Sequence, residues 1–563
     1  MKKTSLLAVC ICAALAFGSI TTACGTKNNN EGDKVDNNCT IKYAEYTGLA
    51  SLNSADEISE YESDVTTNLP DENGVIVSPH YTLKINGETV PVYATRSAGG
   101  VHSFAYIDVA VTDSSKGFAL QTEITGTALS TVFKKTYDRE PSVAVLPESA
   151  GVKATINQKT VKATIKNYGS YSFAFNLSPA EALTLMVKPQ EDEAALFGEK
   201  NVNYIEPDDY TGDKADELKF KTAGEVYYFK AGNYQIDGIS LPENSILYFQ
   251  RGAYLKVMPG KTNSPLSASS ANGITVAGRG LIDYSACCGG EVPDGYYNNK
   301  GGISFTACDD ISVSGLSVIN SQTWTLCLND CEGVNIKDLM FFAYRVYADG
   351  VMLSDCKNAI VEDSFIRTGD DAFETKSTTY AGLTDNVLFR NNAAWTDKAV
   401  AYGCIYESSH DTRNVRFENN SVGFALGTWS NHLGSCVVQM GNRKGAVMEN
   451  IYFKDIEIYY SANPAILNVY IGGSGGRGEG WGNVKNIYFE NITARRNYGA
   501  FLNLRTYDSE NCFIGTLYLD NIVSNGTMLT ELNRRTTGYV LYNVSGGYNF
   551  DKYLRLNTLG EEE

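Results

Sequence analysis

The 563-residue sequence is short of basic side chains: 47 Lys and Arg stand against 65 Asp and Glu, a formal net charge of −18. Nucleic-acid binding needs a basic footprint, so nucleic acid is excluded as a partner. A polyanionic ligand would require a local basic pocket. Proline is scarce as well, 13 residues beside 52 glycines and 36 tyrosines, a balance that favours strands and turns over long helices. Beyond the first two dozen residues, no stretch is long and apolar enough to span a bilayer. The 13 cysteines form no paired CxxC modules, which argues against a zinc site. Cys308, Cys327, Cys331, Cys356, Cys404 and Cys436 are expected as small buried hydrophobes, while the adjacent Cys287 and Cys288 leave a disulfide open. What is present is ordinary globular material, 43% hydrophobic and 20% charged, enough for a large core.

Residues 1–24 read as a targeting segment: Lys2 and Lys3, the apolar run LLAVCICAALAFG, then ITTAC with small residues before Cys24. This resembles a bacterial lipoprotein signal. The resemblance implies lipidation of Cys24, a membrane anchor there, and a place at the cell surface or in the periplasm; plain secretion is the alternative. The polar run over 25–38, GTKNNNEGDKVDNN, suits a flexible tether.

Over 39–190 the pattern alternates and is rich in Val, Thr and Tyr, as in YTLKINGETVPVYATR and HSFAYIDVAVTD. Short strands between turn signals predict a β-sandwich, with His80 and His102 as structural or surface residues. An acidic, loop-like join is expected over 191–225. From 226 to 563 one motif recurs, apolar–x–apolar–x–Asx/Gly: ISVSG from Ile311, VNIKD from Val334, AIVED from Ala359, VLFRN from Val387, VRFEN from Val415, IYFKD from Ile451, IYFEN from Ile487 and LYLDN from Leu517, with ITVAG from Ile274 upstream. From Ile311 onward the starts lie 23 to 36 residues apart. A strand-rich unit of that period without helical periodicity predicts a solenoid of stacked parallel strands, and its drift in spacing argues against a propeller. The Asx residues suit tight corners, and the longer periods predict loops that wall a groove on one face.

Two consecutive turns of this repeat, AYRVYADGVMLSDCKNAIVEDSFIRTGDDAFETKS, carry three acids at matching places: Asp349 opens one short strand, and Asp370 with Asp371 opens its equivalent. Side by side, such strands are about 4.8 Å apart. Carboxyl groups so close do not all ionise easily, so one pKa should rise and leave a proton-bearing acid beside a carboxylate base. That pair is the equipment for hydrolysing a glycosidic bond.

With ITVAGRGLID, GLSVINSQTWTLCLNDCEGVNI, DGVMLSD and RTGDDAFETKS on one chain, the region from about Tyr227 to Leu519 resembles the parallel β-helix glycoside hydrolases, the polygalacturonase family (family 28) and the related dextranase/isopullulanase family (family 49). The resemblance implies an all-β protein whose sandwich precedes a right-handed parallel β-helix, a polysaccharide or oligosaccharide substrate, and inversion at the anomeric centre without cofactor or metal. By position, Asp370 corresponds to the general acid, and Asp349 and Asp371 hold and activate water. The Gly-His-Gly and Arg-x-Lys of polygalacturonases are missing from AAWTDKAVAYGCIYES and SNHLGSCVVQMGNRKG. The Trp395 coil and the amino-terminal sandwich look more like the dextranase family.

Other groups are candidates for substrate binding. Lys376 either pairs with an acid or lines the groove, and Glu374 alternates with it on one strand. Glu407 ends the next strand. Trp395 and Trp429 offer flat faces to sugar rings or pack in the core. His432 with Arg443 and Lys444 forms an anionic-sugar pocket or a surface cluster, and Tyr344 and Tyr347 flank the acids. Three alternatives stay open: a Ca²⁺-dependent lyase using Arg345 or Arg367 as base, a non-catalytic carbohydrate-binding solenoid, and a polygalacturonase that reads carboxylates with different basic residues.

Overall fold

Strict alternation in the amino-terminal part becomes strands buried on one side, as in Tyr81–Ile85 and Thr160–Ile165, where every second residue is shut from solvent. The computed structural model describes residues 38–63, 74–97, 100–126, 141–207, 220–287, 301–378, 382–405, 408–427, 434–441, 446–472, 482–506, 511–534, 540–543 and 548–559. Between Cys39 and Pro189 the strands form a five-stranded and a seven-stranded sheet. These pack face to face through Leu83, Ile107, Leu120, Ile124, Val161, Phe173 and Leu185. This is the expected sandwich.

The seven-stranded sheet is buried on both sides. Its central strands Tyr93–Ser97 and Gly100–Val111 lack alternation because the outer face lies against the second half of the chain. There Phe104, Tyr106, Ala174 and Met186 meet Ile319, Phe342, Phe365, Trp395 and Phe424. Charged groups tie the junction: Arg279 to Asp108 at 2.8 Å and to Glu191 at 2.7 Å, and Lys188 to Asp338 at 2.8 Å.

The second half is a parallel β-helix of three strand ladders. The repeat found in the sequence forms one ladder in register: Val334, Ala359, Val387, Val415, Ile451, Ile487 and Leu517 pair in succession. Each repeat of the motif closes on an Asx in the left-handed region: Asp338, Asp363, Asn391, Asn419, Asp455, Asn491 and Asn521 have φ between 49° and 58°. Asx side chains tolerate that conformation, and here they also bond to one another: Asn419 donates to Asn391 at 2.8 Å, and Asn491 to Asp455 at 2.8 Å. Inside, like residues stack on like. The rings of Phe389, Phe417, Phe453 and Phe489 lie 4.7 to 5.2 Å apart, the spacing of the strands themselves. All nine cysteines of the described residues are buried, as small hydrophobes should be. Cys288 lies outside the described residues.

The segment read as a join contributes structure of its own. Val202–Ile205 pairs in parallel with Val226–Phe229, and the short helix Glu193–Phe197 lays Leu196 and Phe197 against Tyr228 and Tyr248.

Candidate active site

The third ladder carries the acids. Its strands Leu326–Asn329, Val351–Ser354, Phe373–Lys376, Tyr402–Cys404 and Cys436–Met440 pair in parallel. Val351, Leu353, Phe373, Tyr402 and Cys404 point into the helix core. The alternate residues Met352, Ser354, Glu374, Lys376 and Gly403 therefore face outward. Val351 pairs with Phe373 and Ser354 with Lys376, and the Gly350 N–H donates to the Asp371 carbonyl at 2.8 Å. Asp349 and Asp371 thus hold the same position on consecutive coils.

Two glycines bring the backbones this close. A Cβ at Gly350 would overlap the Ala372 carbonyl oxygen, and one at Gly369 the Arg345 carbonyl oxygen. The Gly369 N–H donates to Ala343 O at 2.5 Å, and the Thr368 hydroxyl to Asp370 O at 2.7 Å. The turn that presents Asp370 and Asp371 is fastened on both sides.

Carboxylate oxygens of Asp349, Asp371 and Glu374 lie within 4.8 Å of one another. Lys376 Nζ stands 3.4 Å from Glu374 Oε2 and 4.0 Å from Asp349 Oδ2. Asp371 Oδ1 accepts the Val400 N–H at 2.8 Å. All four side chains, and Asp370, are buried. Burial pushes the Asp349 carboxyl well above the usual range, and the negative charges of Glu374, Asp370 and Asp371 push the same way against Lys376. Burial likewise raises Glu374, to about 8, with Lys376 opposing and Asp371 adding to it. The raised groups of the cluster are thus Asp349 and Glu374, whereas the sequence placed the proton on Asp370. Asp349, Asp371 and Glu374 are the set that could meet at one metal ion, but the Lys376 ammonium already stands against two of them.

Trp395 is corrected by the structure. It is 1% exposed and sits at the junction with the sandwich, edge-on to His102 at 4.9 Å and beneath the Arg367 guanidinium at 5.4 Å. No sugar reaches it, because the sheet that carries it faces the other half of the chain rather than the acids. His102 is a buried junction residue, kept neutral by burial and by Arg367. Arg367, the base considered for a lyase, is bonded to the Pro179 carbonyl and to Asp397 at that same junction. Tyr344 is buried with Arg345 over its ring at 5.7 Å, while Tyr347 is 66% exposed beside Asp349. Glu407, Trp429, His432, Arg443, Lys444 and Cys24 lie outside the described residues.

Sequence reasoning missed Trp324. It is 42% exposed and its ring centroid lies 5.5 Å from Lys376 Nζ. The signal was in the repeat, for Trp324 precedes Asp349 by the same 25 residues that separate Val334 from Ala359.

Residues 256–533 match the model of the glycosyl hydrolases family 28. A polygalacturonase of Arabidopsis thaliana is 25% identical over 175 residues, 30% of this chain and 36% of its own length. One from Cryptomeria japonica is 22% identical over 301 residues, 49% of this chain and 54% of its own. The chain thus spans about a third to a half of the curated relatives it matches. In fold it is similar to Dex49A from Penicillium minioluteum, with a TM-score of 0.60 at 12% identity over 92% of this chain and 100% of that one. That likeness covers sandwich and helix together. With its parallel β-helix and its paired acids one coil apart, the stretch 256–533 is thus similar to the glycosyl hydrolases family 28.

Proposed function

We propose that the protein is an exported glycoside hydrolase that cleaves a polysaccharide with inversion, using Asp370 as acid and the Asp349–Asp371 pair to hold and activate water. The observation that carries this is the register of Asp349 with Asp371, which brings carboxylate oxygens of the two within 4.8 Å in a buried patch beside Glu374 and Lys376. With Asp349 raised by burial and its acidic neighbours, the pair shares a proton. Asp371, held by the Val400 N–H, is then the base, and Asp349 orients the water. Asp370 gives its proton to the glycosidic oxygen as the bond to the anomeric carbon breaks, while Asp371 takes a proton from the water that attacks from the opposite face. Inversion requires acid and base about 6.5–9.5 Å apart, with water between.

Among the described residues, the outward positions on the two coils after Lys376 are Gly403, Val437 and Gln439, with no cation to grip a carboxylate. This favours neutral sugars, now without help from Trp395. The basic start, apolar core and Cys24 of residues 1–24 support export with a lipid anchor.

The test is reducing-end release from dextran, pullulan, polygalacturonate, rhamnogalacturonan and arabinan, with wild type beside Asp370→Asn. Release from one polymer by wild type alone is expected. Equal release by the variant would remove Asp370 from the mechanism.

A further inference from the structure

Among the described residues, the outward face of the acid-bearing sheet meets solvent at Trp324 and on the coils before it, and is buried on the coils directly past the acids. One row crosses four consecutive coils: Trp324, Asp349, Asp371 and Val400. Main-chain bonds fix the row. The Thr325 N–H donates to Asp349 O at 2.9 Å, the Gly350 N–H to Asp371 O at 2.8 Å, and the Ala372 N–H to Val400 O at 2.9 Å.

On the amino-terminal side the row ends in the exposed Trp324. The outward positions before it are small hydroxyl side chains in contact with solvent: Ser267, Ser269, Ser304 and Thr306. A flat aromatic face over a shallow floor suits the C–H face of a sugar ring, and the ring leaves hydroxyls free to meet Ser and Thr.

On the carboxy-terminal side Val400, Ile405 and Val437 form an apolar cluster of their own, apart from the helix core. The glycine between Tyr402 and Cys404 shows where they lie. A Cβ on Gly403, which faces outward, would come within 2.6 Å of Ile405 Cγ2 and 3.3 Å of Val400 Cγ1. These side chains therefore fold over the outer surface of the coil that follows Asp371. Beyond them the outward residues Gln439, Asn468 and Asn503 are also buried. The closure begins one strand spacing, about 4.8 Å, past Asp371. The groove thus ends within one coil of the acids.

We infer that this groove is dead-ended: the polysaccharide lies over Trp324 and the amino-terminal coils, its terminal sugar stops where the surface closes over the buried Val400, Ile405 and Val437, and the enzyme releases one sugar at a time from a chain end. The inference rests on the hydrolase activity proposed above. The bond that breaks joins the terminal sugar to the rest of the chain. Water supplies the new oxygen at the anomeric carbon and loses its proton to Asp371, and the leaving oxygen takes the proton of Asp370.

The experiment has two arms. In the first, wild type acts on dextran and polygalacturonate, and products are sized while about 1% of bonds are cut. A monosaccharide as the sole early product, with viscosity unchanged, is expected. An early ladder of oligosaccharides overturns the dead end and leaves the hydrolase standing. In the second, calorimetry follows Asp370→Asn with linear six-sugar oligomers of both polymers, each blocked at the reducing or the non-reducing end. One block should abolish binding and the other leave it within about twofold, and Trp324→Ala in the same background should weaken binding about tenfold. Equal binding of both blocked forms overturns the proposal. End-selective binding without cleavage by wild type would overturn the hydrolase and keep the dead-ended groove. No binding by any oligomer would overturn both.

Discussion

Glu374 and Lys376 stand two residues apart on one strand, 3.4 Å from carboxylate to ammonium, both outward-facing and both shut from solvent. A buried pair gains Coulomb energy but loses hydration on both sides. Here the loss governs Glu374, whose carboxyl is pushed from 4.5 up to about 8 by burial despite the lysine. Its folded pKa lies above its unfolded one, so the folded state binds the proton more tightly. That contribution is full below the ordinary value and is lost as pH rises toward 8. Unfolding free energy should therefore fall between about pH 4.5 and 8 by on the order of a few kcal/mol, and Glu374→Gln should flatten the slope. Urea unfolding at a series of pH values reads this directly; an unchanged slope in the variant would assign the pH dependence to other groups.

The two adjacent acids should separate by leaving group. Asp370→Asn removes the proton donor, a loss of about 10²–10⁴ in kcat on a natural sugar linkage. On an aryl glycoside whose phenol leaves without help, most of that loss should vanish. Asp371→Asn removes the base, so both substrates should suffer alike. If the two variants respond identically to the leaving group, the acid and base assignments fail.

Much of this arrangement was legible because a parallel β-helix converts sequence period into spatial register. Val334, Ala359 and Val387 could be aligned from spacing and Asx corners alone, and the matching strand openings DGVMLSD and DDAFETKS place Asp349 beside Asp371. It would have exposed Trp324 as well, had the period been applied upstream. Trp395 was not legible. Alternation tells which side of its strand a residue takes, but its outward side is covered by His102 and Phe104, which lie almost three hundred residues earlier. No local pattern announces a contact of that range. The raised Glu374 was hidden for a related reason, since its burial depends on neighbouring coils and its effect on a lysine two residues away.

Trp395→Ala should therefore act on stability and leave binding alone. Truncating a buried tryptophan costs about 3–5 kcal/mol, and here it also strips an aromatic face from Arg367, whose centre lies 5.4 Å from the ring. The melting temperature should drop by several degrees while KM for the cleaved polymer stays within about twofold of wild type. A large rise in KM at unchanged stability would return Trp395 to the substrate.

Lys376 provides the sharpest division between hydrolase and metal-dependent lyase. Its ammonium stands 3.4 Å from Glu374 and 4.0 Å from Asp349, against two of the three groups whose oxygens converge closely enough for a cation. A divalent ion among the same oxygens would meet that ammonium with like charge, and Coulomb repulsion at such range is severe in a buried site. EDTA should thus leave the wild-type rate unchanged, and the product should be a reducing sugar without an unsaturated end. Lys376→Met should do the reverse of a neutral change. Without the cation that lowers their pKa, Asp349 and Glu374 should take up protons more readily, moving the acidic limb of the pH–rate profile upward as kcat falls. If the variant instead binds Ca²⁺ and keeps its profile, the lysine is not the charge that steadies the acids. If wild-type activity itself disappears with EDTA and returns with Ca²⁺, the three carboxylates are metal ligands and the mechanism is not hydrolysis by paired acids.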